Sequence, residues 1–113
     1  MVRYFKGLPR GVSIRPEDRR TDHPKPWAAR AGRRTIWVMT WGSGSCPELP
    51  SAVTATAPDR LVIQTHILAA GRHAICTADL VVTTSLVRLP AEIDAGRALV
   101  VRVDGKPTRL AAR

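Results

Sequence analysis

Acidic and aromatic residues are scarce in this sequence. Nine Asp and Glu stand against 18 Lys and Arg in 113 residues, and the aromatics are three Trp, one Tyr and one Phe. Carboxylates this few and scattered offer no pair at a spacing suited to acid and base catalysis. No apolar run approaches the roughly 20 residues a membrane helix needs; the longest, Thr35–Trp41, is strand-like. A signal-peptide pattern is also missing, because Met1–Phe5 is too short for an apolar h-region and Lys6–Arg34 is polar. Gly42-Ser43-Gly44-Ser45 lacks the Gly-Lys-Ser/Thr that completes a phosphate loop, and no G-x-S-x-G elbow occurs. A chain so short of catalytic apparatus reads as a non-enzyme with no catalytic residues, no cofactor and no metal.

The net charge of +9 is unevenly spread. Residues 1–34 hold ten basic residues against Glu17, Asp18 and Asp22, whereas residues 35–113 hold eight against six acids. Pro9, Pro16, Pro24 and Pro26 interrupt the basic stretch too often for a helix or strand to run far. Residues 1–33 therefore read as a Pro- and Arg-rich extended or disordered arm, and residues 34–113 as one domain. Within or beside the arm, Arg10, Arg15, Arg19, Arg20, Arg30, Arg33 and Arg34 are the candidate contacts for a polyanion. Fifteen of the 18 basic residues are Arg, and Ala is abundant, a bias that a GC-rich genome also produces.

After Arg34 the pattern turns to β. Thr35–Trp41 is β-branched and aromatic on both faces, as a central buried strand requires, and Ala31-Gly32 is a turn that would pair it with residues around Trp27. Gly42–Pro47 is a loop, punctuated again by Leu49-Pro50. Val53–Ala57 and Leu61–Ile67 flank Pro58-Asp59-Arg60 as a hairpin, the second strand alternating between a Leu61, Ile63, Thr65, Ile67 face and a Val62, Gln64, His66 face. Leu80–Leu89 is a strand with a bend placed at Thr83–Ser85, and Leu99–Val103 and Thr108–Leu110 flank Asp104-Gly105, the strongest hairpin signal present. About six strands predict an all-β domain, a small sandwich or partly open barrel with an extended N-terminal arm.

Cys46 and Cys76, 30 residues apart, fit a disulfide that closes the loop between strands. Two other states stay open on spacing: a pair of free buried thiols, and a zinc set with His66 and His73, whose ligands lack the close pairing of a zinc knuckle. Cys76, His73 and Asp79 can be drawn as a nucleophile set only on sequence nearness. Trp27, Trp37 and Trp41, the last two sharing a strand face with Met39 between them, would serve as core or as a stacking platform for bases or sugars.

The run Trp41-Gly42-Ser43-Gly44-Ser45-Cys46-Pro47 with Pro50, followed by Cys76-Thr77-Ala78-Asp79-Leu80, Thr83-Thr84 and Leu89-Pro90, resembles the motifs of a group of small uncharacterised actinobacterial proteins. Its members are secreted or membrane-tethered, and the resemblance covers about residues 35–110. It implies a β-sandwich-like domain in which Cys46 and Cys76 pair outside the cytoplasm, and it implies no activity. The basic arm is no part of the pattern, and residues 1–34 hold no stretch that reads as a leader or tether. Two functions follow as expectations. The first is a non-catalytic extracytoplasmic domain that binds a protein or cell-envelope component; the second is a cytoplasmic binder of nucleic acid or another polyanion through the arm.

Overall fold

Period-two alternation interrupted by Pro, Gly and Asp turns produces eight strands and, among the described residues, no helix. The computed structural model describes residues 2–14, 24–67 and 75–112. In chain order the strands are β1 (Arg3–Lys6), β2 (Ala28–Arg30), β3 (Thr35–Gly42), β4 (Glu48–Ala57), β5 (Arg60–Ile67), β6 (Val81–Arg88), β7 (Leu99–Val103) and β8 (Lys106–Leu110). They form two four-stranded sheets, ordered β1-β6-β3-β2 and β4-β5-β7-β8. All pairings are antiparallel except β5 with β7. A parallel pair needs a long crossover. Here β6 supplies it, because the chain leaves β5, runs through the other sheet and returns as β7.

The expected sandwich-type architecture is present, with two strands more than the six read from sequence. Both additions lie within residues 1–33, so the described ends of that stretch are woven into a sheet and are no free arm. β1 zips along β6 from Arg3 opposite Leu86 to Lys6 opposite Thr83. β2 pairs with β3 through the Ala31-Gly32 turn, where Gly32 N–H donates to Thr35 Oγ1 at 2.6 Å. β2 is the partner near Trp27 that the Ala31-Gly32 turn predicts for β3, whereas β1, an edge strand of four residues, has too little alternation to announce itself and is made a strand by its ladder with β6. Between them, Gly7 N–H donates to Val82 O and Gly7 O accepts from Thr84 Oγ1, and Pro9 is buried.

One face of each sheet makes the core. Ala28, Ile36, Val38 and Val87 from the first sheet meet Leu61, Ile63, Val101, Val103 and Leu110 from the second, with Leu89, Ile93 and Leu99 closing one end. The hairpins fall where the turn residues demand. Asp104 and Gly105 both have positive φ, 49° and 83°, the pair of left-handed residues that a tight hairpin turn requires. The Asp104 carboxylate accepts from Thr65 N–H at 2.9 Å and from its hydroxyl, tying this turn to the end of β5.

Two local expectations change. Pro50 sits inside β4, beside a bulge between Pro50 and Ala52, and does not end a segment. β4 is an edge strand, where a residue without an N–H is tolerated. β6 runs unbroken through Thr83–Ser85, all three buried, because β1 and β3 hold it from both sides.

Candidate functional site

Three groups of residues have the composition of a site: the cysteine loops, the arginines, and the outer faces of the two sheets. Cys46, on the β3–β4 loop, and Cys76, in the segment leading to β6, have their sulfurs at 2.09 Å and their Cα atoms at 5.3 Å, a disulfide. Hydroxyls lace the same two loops. Thr77 N–H donates to Ser45 Oγ at 2.9 Å, Ser43 and Thr77 hydroxyls are 2.9 Å apart, and Ser45 Oγ donates to Ile75 O at 3.3 Å. Asp79 accepts from the Thr77 hydroxyl and from Gly44 N–H. A Cβ at Gly44 would lie 2.8 Å from Asp79 Oδ2, so the carboxylate would have to shift to admit one. Below the loop, Thr40 Oγ1 donates to Glu48 O at 2.7 Å and joins the end of β3 to the start of β4.

The Thr77 hydroxyl first, and then Gly44 N–H, hold the Asp79 carboxyl below its ordinary value of 3.8, outweighing desolvation that would raise it. A carboxylate with a lowered folded value contributes stability that is complete above the unfolded value and is lost as pH falls through the folded one. The protection of the Gly44 amide relative to its intrinsic exchange rate at the same pH is therefore expected to fall as pH drops below the ordinary value of 3.8, and Asp79→Ala to show low protection there at every pH. Equal protection in both proteins across the titration would contradict this.

The other roles weighed for the cysteines lose their parts. With Cys76 in a disulfide it is no nucleophile in this state, and with both thiols paired the zinc set lacks two ligands. His66 is exposed on β5, and His73 lies outside the described residues. No group of three or more potential metal ligands occurs among the described residues.

Of the seven candidate arginines, Arg15, Arg19 and Arg20 lie outside the described residues, while Arg10 and Arg33 are exposed. Arg30 and Arg34 do structural work. Arg30 donates to Ala95 O at 3.1 Å, Arg97 O at 2.7 Å and Ala111 O at 3.1 Å. Arg34 donates to Pro90 O at 2.7 Å and Ile93 O at 3.1 Å. These bonds fasten the β6–β7 connection and the C-terminal end to the first sheet. Arg30→Ala is expected to cost about 1.5–3 kcal/mol in a denaturant titration, the range for hydrogen bonds to a charged group, against less than about 0.5 kcal/mol for Arg33→Ala. Equal effects would remove Arg30 from this role.

The structure also assembles a basic surface from residues outside the arm. On the outer face of the second sheet, Arg60 of β5 and Arg109 of β8 lie in register on either side of Val100 of β7, with Arg102 two residues further along β7. All three arginines are exposed, and Val62, Val100 and Pro107 form the floor between them. The alternation that puts Arg60 and Val62 on one face of β5 is visible in the sequence. The parallel pairing of β5 with β7 is not, and it brings the three together.

Trp27 packs against the core, whereas Trp37 lies half-buried on the outer face of the first sheet, edge-on to Phe5 with ring centroids 5.6 Å apart. The Arg3 guanidinium sits 5.6 Å from both of those rings. No family model, curated protein or solved structure matches this chain.

Proposed function

We propose that the chain is a non-catalytic domain that works outside the cytoplasm and binds a component of the cell envelope or a protein there. The Cys46–Cys76 disulfide carries this reading, because such bonds form and persist in oxidising compartments and are rare where thiols are kept reduced. One end of the bond is buried and the other exposed, and hydroxyl hydrogen bonds brace both flanking loops, as a structural staple needs. Nothing convergent and nucleophilic accompanies it among the described residues. The second reading, a cytoplasmic nucleic-acid binder acting through the arm, is weaker, since Arg30 and Arg34 already donate to backbone carbonyls.

Co-sedimentation tests it. The disulfide-bonded protein is expected to pellet with isolated envelope material from its source and to stay in solution with the cytoplasmic fraction. Retention by cytoplasmic nucleic acid alone would overturn the reading.

A further inference from the structure

We propose that the outer face of the second sheet is a docking surface for a linear phosphate-bearing polymer without nucleobases, such as a polyol or sugar chain joined by phosphodiesters. The proposal deepens the envelope-binding reading by naming its partner, and it rests on that reading for the partner's source.

The charge on this face is of one sign. Arg60, Arg102 and Arg109 project from three adjacent strands, β5, β7 and β8. With strands about 4.8 Å apart and a rise of about 3.3 Å per residue, the three Cα positions form a triangle of roughly 8–10 Å on a side. The nearest carboxylates in sequence are at the turns and already engaged. Asp59 is 3.8 Å from Arg97 at one end, and Asp104 accepts from Thr65 at the other. Among the described residues, none of the three guanidiniums has a carboxylate partner.

Shape supports a chain-like ligand. A shallow hollow of about 350 Å³, including its open mouth, lies between Arg60 and Arg102 over Leu61 and Val100. A separate hollow of about 470 Å³ lies between Arg109 and Lys25, lined also by Pro26, Pro107 and Thr108. Three arginines thus share the face, with Lys25, from the segment before β2 of the first sheet, beyond Arg109. Arg predominates, and its planar fork holds phosphate oxygens in pairs.

The absence of a stacking group separates this surface from a nucleic-acid platform. Tyr4, Phe5, Trp27, Trp37 and Trp41 are all the aromatics in the chain, and each lies in or next to a strand of the first sheet. Binding of single strands draws much of its energy from bases stacked on aromatic rings. Between Arg60, Arg102 and Arg109 the face offers phosphate contacts over an aliphatic floor and no ring for a base; Trp27 lies beside Lys25, whose ammonium is 5.4 Å from its ring, and packs against the core.

Linear inorganic polyphosphate, a phosphate chain with no base, is the probe, with a single-stranded DNA of matched charge beside it. The intact protein is expected to bind polyphosphate with an affinity that falls by roughly 20- to 40-fold between about 50 and 200 mM salt, the dependence three phosphate contacts produce. It should bind the DNA no more tightly. Combining Arg60→Gln, Arg102→Gln and Arg109→Gln is expected to abolish most of this affinity and flatten the salt dependence, with thermal stability retained because all three side chains are exposed. Arg10→Gln with Arg33→Gln should leave it unchanged. Full affinity in the triple variant, or loss only in the Arg10 and Arg33 pair, would overturn the surface. Tighter binding of DNA through the same three arginines would overturn the ligand class. If polyphosphate binding behaves as expected but isolated envelope is not bound, the surface stands and the envelope reading fails. If envelope binding survives in the triple variant, the reverse holds.

Discussion

Replacing Cys46 and Cys76 together by alanine is expected to lower the stability of the folded chain by about 3–4 kcal/mol, the loop-closure entropy of a crosslink between residues 30 apart. A domain of this size has about 5–15 kcal/mol in total, so the loss is a large share. The unfolded chain gains the freedom that the bond denied it, while the native loops keep their hydroxyl contacts. In a thermal melt the effect corresponds to roughly 10–15 °C. It should be largely independent of whether the bond is removed by mutation or by reduction. The native fold should persist in the variant, because the two sheets pack through residues distant from the bond, Ile36 and Val38 against Leu61 and Ile63 among them. A shift below about 3 °C would mean that the bond is incidental to stability.

The second large effect is placed in the core. Ile63→Ala removes a side chain that is fully buried, flanked in its own sheet by Val53 on β4 and Val103 on β7. Strands on both sides and the opposite sheet restrict collapse into the void, so the expected cost is about 3–5 kcal/mol, the upper part of the range for such truncations. Ile67, four residues along the same strand, is 58% exposed. Ile67→Ala should cost no more than about 0.5 kcal/mol. Chemical denaturation of the two variants under one set of conditions gives the comparison, and similar losses at both positions would contradict the assigned packing of β5.

Local chemistry explains which parts of the fold were legible in the sequence. Asp104-Gly105 demands two left-handed residues and therefore marks its hairpin without help from the rest of the chain. Pro58-Asp59 does the same for β4 and β5, and the two-sided apolar run of β3 foretells a strand paired on both edges. What stayed hidden depends on partners far along the chain. β1 reads as part of a basic arm until β6, some 80 residues later, supplies its ladder. Arg30 and Arg34 look like free cations until the carbonyls of residues 90–97 and Ala111 meet them. The basic face was missed for a related reason. Arg60, Arg102 and Arg109 are single charges in separate strands, and only a parallel pairing routed through the other sheet makes them neighbours. Overall charge drew attention to the N-terminal stretch, whereas a charge surface is set by strand parity and strand order.

The compartment claim underlies the functional reading, and the redox state of the cysteines in protein taken from its native source tests it most directly. Thiols are trapped with an alkylating agent before unfolding, and the intact chain is weighed. The account predicts an unlabelled chain lighter by two hydrogens, with Cys46 and Cys76 recovered in one crosslinked peptide. Two labels on a chain of full mass would show reduced thiols in the cell and contradict a domain that works outside the cytoplasm.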